Sequence, residues 1–198
     1  MKRFLVVSFG FLLILVFGGM KLFGVNFYPT GTIPGNVENV LTYNIKNGKW
    51  ILFEHKNSNY FGIAKVKKFG PIYFYNGGTD YYEIEDRMPF SVAGYGEKNG
   101  DFMVAVKIPS GSNIKYISVG NHLEEGKHLE QEDPLNETIS LDIVQQYPDS
   151  YLVREVEGNY VFFLTNGYSE QNWTVRGFDE DGKLVADKLF GSQPRYLQ

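Results

Sequence analysis

The chain of 198 residues has no cysteine, only three histidines and only two tryptophans. Without thiols there is no disulfide, cysteine zinc site, iron–sulfur cluster, thiol nucleophile or lipid-modified cysteine. Positive charge is also scarce. Against 23 Asp and Glu there are 19 Lys and Arg, a net charge of -4, which argues against a nucleic-acid-binding face. A serine nucleophile needs a base and an orienting acid, and no G-x-S-x-G elbow exists. Ser112 after Gly111 and Ser192 after Gly191 stand in turn or tail sequence. No aromatic recurs at a fixed period, which excludes an array of identical modules. What remains is ordinary for a packed domain: 43% hydrophobic and 21% charged residues, with aromatics raised to 16%.

Charge is missing most completely from Phe4 to Met20, a 17-residue run (FLVVSFGFLLILVFGGM) after Met1-Lys2-Arg3. Lys21 interrupts it and Leu22–Tyr28 is apolar and aromatic again. About 20 helical residues cross a hydrocarbon core of ~30 Å. Residues 4–25 suffice if Lys21 snorkels and Phe27 and Tyr28 sit at the interface. The core is longer than that of a removable signal, and no small-x-small cleavage site follows it. The expectation is therefore a retained signal anchor, with secretion after cleavage as the alternative. Lys2 and Arg3 precede the block, so the positive-inside rule puts the N-terminus in the cytoplasm and the following domain outside. Removing Lys2, Arg3 and Lys21 leaves 16 basic against 23 acidic residues in 26–198, a net of -7. Such a domain is repelled by an anionic leaflet as a whole.

Beyond the block the pattern is mainly β. Pro29–Pro34 reads as a stalk. Asn36 as N-cap, with Val37, Val40 and Leu41 on one face, predicts one short helix over 36–44. Runs at 50–55, 60–68 and 72–75 read as strands, and Asn76-Gly77-Gly78 as a hairpin turn before a strand at 81–84. These compose a small antiparallel meander with one short helix over 26–88. The charged stretch ending at Pro89 marks a boundary. Strands at 90–95, 102–108, 114–119, 138–144, 151–156, 160–165, 173–178 and 183–187 then predict an immunoglobulin-like β-sandwich over 89–198. Ile139, Leu141 and Ile143 alternate with Ser140 and Asp142, the signature of a half-buried strand. Residues 121–137 have no strand character.

Trp50 to Gly70 (WILFEHKNSNYFGIAKVKKFG) carries a family likeness, through Gly62-Ile63-Ala64, Val66-Lys67-Lys68-Phe69-Gly70 and then Gly77-Gly78. Gly177 to Lys183 (GFDEDGK) adds to it. The chain resembles uncharacterised small exported or membrane-anchored β-rich proteins of Bacillus-type Gram-positive bacteria. Those commonly have a tryptophan where this chain has Pro71-Ile72-Tyr73. The resemblance implies an envelope location and no catalytic residue.

Chemistry is thinly spread. His122, Glu124 and His128 head an acidic stretch running to Asp133. In a helix, Glu124 and His128 share a face and suit zinc or manganese, which makes a metal-dependent cell-envelope hydrolase the alternative reading. Gly126 and Pro134 oppose that helix. Asp179-Glu180-Asp181-Gly182 has the composition of half a calcium loop, yet lacks the closing Glu and suits a hairpin turn. His55 ends a strand. Lys65, Lys67 and Lys68 form the one basic cluster, with Lys65 and Lys67 on one strand face. They are placed to touch an anionic envelope polymer or headgroup, or to guard an edge strand. The expectation is a non-catalytic, extracytoplasmic protein without cofactor that binds a protein or envelope component, the membrane being met through residues 4–25 and nucleic acid not at all. Intact mass spectrometry of the protein from the membrane fraction checks the anchor: the full-chain mass is expected, and loss of the first 20 or so residues makes the segment a signal.

Overall fold

The run Trp50-Ile51-Leu52-Phe53 has no polar residue to turn outward, so both faces of its strand must be buried. They are: all four side chains are at most 2% exposed. The computed structural model describes residues 18–19, 24–79, 82–83, 87–97, 100–120, 139–167, 174–189 and 191–197. It divides into two compact units, Met1–Tyr81 and Tyr82–Gln198.

In the first unit, β1 (Val25–Asn26), β2 (Val37–Ile45), β3 (Gly48–His55), β4 (Tyr60–Phe69) and β5 (Ile72–Gly78) form an antiparallel sheet in the order β1-β5-β4-β3-β2. Four consecutive strands pair as a meander, and β1 returns to close the far side of β5. One face buries Ile51, Phe53, Ala64 and Val66 with Ile33, against partly buried Val37 and Tyr73. The other face carries Trp50, Leu52, Phe61 and Ile63, each 0% exposed. Burying each of these large side chains is worth about 1.5–3 kcal/mol, so β3 and β4 are the unit's stability.

The second unit is built from β6 (Tyr82–Glu83), β7 (Ser91–Gly96), β8 (Asp101–Lys107), β9 (Tyr116–Gly120), α1 (Leu141–Gln146), β10 (Tyr151–Glu155), β11 (Tyr160–Asn166), β12 (Thr174–Phe178), β13 (Leu184–Lys188) and β14 (Arg195–Tyr196). Strands β11-β8-β7 make one antiparallel sheet and β10-β9-β12-β13-β14 another. Val92, Val104, Val106, Val161 and Phe163 of the first meet Ile117, Val119, Val175 and Ala186 of the second in a single cluster. Helix α1 lies on the opposite face of the five-stranded sheet, where Leu141 and Val144 pack with Tyr151, Phe178 and Leu184.

The mainly β class with antiparallel sheets and one short helix is as the sequence implies, but the helix is elsewhere. Residues 36–44 are not helical: they are β2, hairpinned to β3 across Lys46-Asn47. A bulge between Asn39 and Leu41 inserts one residue. It breaks the two-residue period and puts Glu38 and Leu41 on one face, a spacing of three that imitates a helix. Val37, Val40, Thr42, Tyr43 and Ile45 supply the β propensity that wins. Conversely, α1 occupies 141–146, where the sequence reads as part of a strand over 138–144. Ser140 caps α1, its Oγ accepting from the Ile143 amide at 3.4 Å, Asp142 sits in the first turn, and Leu141 and Val144 are the buried i,i+3 pair. Asn76-Gly77-Gly78 is not a hairpin turn either. It continues β5 through a second irregularity opposite Ala64–Val66, with Gly77 at φ 100 absorbing the extra residue. The transmembrane segment read at 4–25 lies largely outside the described residues, among which no helix is long and apolar enough to cross a membrane.

Gly48 starts β3 where β2 and β4 press on it from both sides, paired with Ile45 and Lys67. A methyl group there would run into the Val66 carbonyl. Gly48→Ala is therefore expected to destabilise the chain by about 2 kcal/mol, read as a lowered denaturation midpoint, and a wild-type midpoint would refute the packing described.

Candidate binding surface

Strand β4 is longer than the partner that supports it. Its pairing with β3 ends at Gly48–Lys67, while its pairing with β5 continues through Lys68–Tyr73 and Phe69–Ile72. The Lys68 amide still donates to the Asn47 carbonyl at 3.0 Å, so only the tip, Phe69 to Ile72, runs past β3 as a short two-stranded arm. Gly70, at φ 57, turns it and Pro71 starts the return. Phe69 at its tip is 73% exposed.

Beside this arm runs β1, with Val25 opposite Phe74 and Asn26 opposite Tyr73. The pairing ends at Asn26, and Phe27 and Tyr28 follow it as irregular chain. Phe27 is 49% exposed and Tyr28 75%. They are held there by local hydrogen bonds. The Asn26 Oδ1 accepts from the Tyr28 amide at 3.0 Å, and its Nδ2 donates to the Gly31 carbonyl at 3.3 Å. A 3₁₀ turn over Thr30–Thr32 follows, with the Thr32 hydroxyl donating to the Pro29 carbonyl at 2.7 Å. Phe27, Tyr28 and Phe69 are three of the large apolar side chains left exposed among the described residues.

The lysines separate as strand alternation requires. Lys65 and Lys67 share one face. Lys65 lies over the Trp50 ring, 5.1 Å from its centroid, whereas Lys67 is exposed next to the arm. Lys68 is on the opposite face, 5.7 Å above Tyr73. The cluster therefore offers charge on both sides of the arm, with Lys65 held back by its ring.

His122, Glu124 and His128, and the rest of the stretch to Asp133, lie outside the described residues. Among the described residues there is no group of three His, Cys, Asp or Glu placed to hold a metal. His55 ends β3 opposite Val37. Asp179 belongs to the β12–β13 turn: its Oδ1 accepts from the Asp181 and Lys183 amides at 3.1 and 2.9 Å, the work of a turn residue.

Sequence reading misses a polar row inside the five-stranded sheet. Ser118, Arg176, Asp187 and Arg195 sit side by side on β9, β12, β13 and β14. The first three are 0%, 3% and 5% exposed. Arg195 clamps Asp187 through Nε–Oδ1 at 2.8 Å and Nη2–Oδ2 at 3.3 Å. Arg176 stacks 5.7 Å from the Tyr151 ring. The Arg195–Asp187 pair ties β14 to β13. No sequence signal finds these four residues, because their adjacency exists only once four strands are aligned.

Neither a family model, nor a curated protein, nor a solved structure matches this chain.

Among the described residues one titratable group is clearly perturbed. Lys188 faces the inter-sheet core side of β13, opposite Val175, and desolvation by burial lowers it below the ordinary lysine value of 10.5. The unfolded chain then holds this proton to higher pH than the folded one, so stability rises with pH between the lowered value and 10.5. Lys188→Met is expected to raise the melting temperature at pH 7 by roughly 2 °C and to remove part of the alkaline rise. Melting curves of both proteins at pH 7 and pH 10 check this, and a constant difference between them at the two pH values would contradict it.

Proposed function

We propose that this chain is a non-catalytic protein anchored in the membrane of a Gram-positive cell by residues 4–25, with the N-terminus cytoplasmic and the β-rich remainder outside, where the arm of the first unit binds an anionic envelope polymer. The second unit is read as a sandwich of immunoglobulin-like size, a stable carrier beside the binding unit. The observation that carries the proposal is the end of β4: Phe69 is exposed at its tip with exposed Lys67 and Lys68 just before it, while Phe27 and Tyr28 are exposed just past β1. Aromatic faces stack on the apolar faces of sugars or glycerol units, and lysine ammonium groups pair with phosphates. A local positive surface on a domain of net -7 selects a ligand by where it touches rather than by overall attraction. The likeness of Trp50–Gly70 to exported Bacillus-type proteins agrees with an envelope setting, as does the absence of cysteine.

The full chain reconstituted in nanodiscs of neutral lipid is titrated with poly(glycerol phosphate). Saturable binding is expected, weakening with salt. Lys67→Glu with Lys68→Glu should reduce it roughly tenfold, consistent with the loss of two charge contacts of order 0.5–1 kcal/mol each. Absence of binding by the wild-type chain, or equal binding by the variant, would overturn the proposal.

A further inference from the structure

Sheets are closed off at their edges by short strands, charges or covering segments, because an open edge pairs with whatever strand it meets. The first unit closes one edge this way: β1 has only two residues. The other edge is β2, nine residues long, in which Glu38, Asn39, Leu41, Thr42, Tyr43 and Asn44 are exposed. Leu41 is 44% and Tyr43 47% exposed. From Asn39 to Ile45 the strand carries no charge at all.

We infer that β2 is a homodimer edge, pairing antiparallel with β2 of a second copy about a two-fold axis through Thr42. The two-residue loop Lys46-Asn47 closes on Ile45 and Gly48 as a hydrogen-bonded pair. Alternate residues Tyr43 and Leu41 then also bond to β3, and Thr42 and Asn44 direct their amides and carbonyls away from it. Pairing centred on Thr42 engages these outward groups. It sets Leu41 against the second copy's Tyr43, twice over, on the face of Trp50 and Leu52, so each exposed apolar side chain gains a cross-strand neighbour. Past the bulge at Val40 the register moves by one residue. Glu38 comes beside the second copy's Ile45, within reach of its Lys46.

Charge selects this arrangement. The negative residue, Glu38, is at one end of β2, and Lys46 is at the other, so antiparallel pairing brings opposite signs together and parallel pairing stacks like signs. Within one chain, Glu38 is set directly opposite Glu54, so a second copy's Lys46 would be its cross-strand neighbour of opposite sign. The inference does not depend on the anchor or on the polymer site, since it uses neither residues 4–25 nor the arm.

The chain's lack of cysteine makes single-cysteine cross-linking clean. In the full chain purified in detergent, Thr42→Cys is expected to form a disulfide-linked dimer on mild oxidation, since the Cα atoms of a hydrogen-bonded antiparallel pair are about 5.5 Å apart. Glu38→Cys should not link to itself, because the two copies of that position lie roughly 20 Å or more apart along the ladder, but it should link to Ile45→Cys, its same-face cross-strand neighbour, when the two variants are mixed. Independently of oxidation, Glu38→Lys should weaken the dimer roughly tenfold by sedimentation, and the double exchange Glu38→Lys with Lys46→Glu should restore it. A monomer at all concentrations, a Thr42→Cys yield no higher than that of Glu38→Cys, or a failure of the double exchange to restore what the single one removes would each overturn the inference. Both charge variants alter only exposed side chains, so the sedimentation result stands even if a cysteine variant folds poorly.

Discussion

Burial of both faces of a strand is the constraint from which the rest of the first unit follows. β3 offers Trp50 and Leu52 to one side and Ile51 and Phe53 to the other, so it requires a neighbour along each edge and cover on each face. β2 and β4 supply the edges. β4 repeats the arrangement with Phe61 and Ile63 on one face and Ala64 and Val66 on the other. Two-sided burial then fades toward β5 and β2, whose side chains are mostly half-buried or exposed. The second unit obeys the same rule at β8, where Met103, Val104, Ala105 and Val106 are all 0% exposed. Strong centres with wet margins leave the margins free for function, and that is where the arm and the β2 edge lie.

How far this was legible in the residues depends on what each signal measures. Continuous apolar runs such as WILF and FMVAV identify central strands because no polar residue is available to face water. Turn chemistry reads well where a turn is tight, as at Glu180-Asp181-Gly182. It misleads at Asn76-Gly77-Gly78, since the same glycine freedom that makes a hairpin also admits an extra residue into a strand. The exchange of helix and strand between 36–44 and 138–144 has one cause. Over seven to nine residues, alternation and helical periodicity differ by only one or two positions, and a bulge or a cap decides. Ser140 was the cap, and its role is visible only beside a buried Leu141 and Val144.

The basic residues illustrate what spacing can and cannot reveal. Strand parity assigns Lys65 and Lys67 to one face and Lys68 to the other without any coordinates. It cannot show that Lys65 rests on an indole while Lys67 and Lys68 flank an arm longer than its support. That difference comes from strand-length mismatch between β3 and β4, a property of pairs rather than of single segments. The same is true of the Ser118–Arg176–Asp187–Arg195 row. Its members are spread over nearly eighty residues, and nothing local distinguishes Arg176 from an ordinary outward-facing arginine.

Helix α1 has a consequence for the order of folding. It is six residues long, far too short to persist alone in water. Its first amide, that of Leu141, donates at 3.0 Å to the carbonyl of Gly182, in a turn some forty residues downstream. Its apolar side chains rest on Phe178 and Leu184 from the strands on either side of that turn. During synthesis the helix must therefore wait, extended and partly apolar, until β12 and β13 have emerged and closed. The turn between β12 and β13 is thus the template on which α1 becomes ordered, so a ribosome pausing before Leu184 would hold a second unit whose strands β9, β10 and β12 can pair while its helix still lacks its seat.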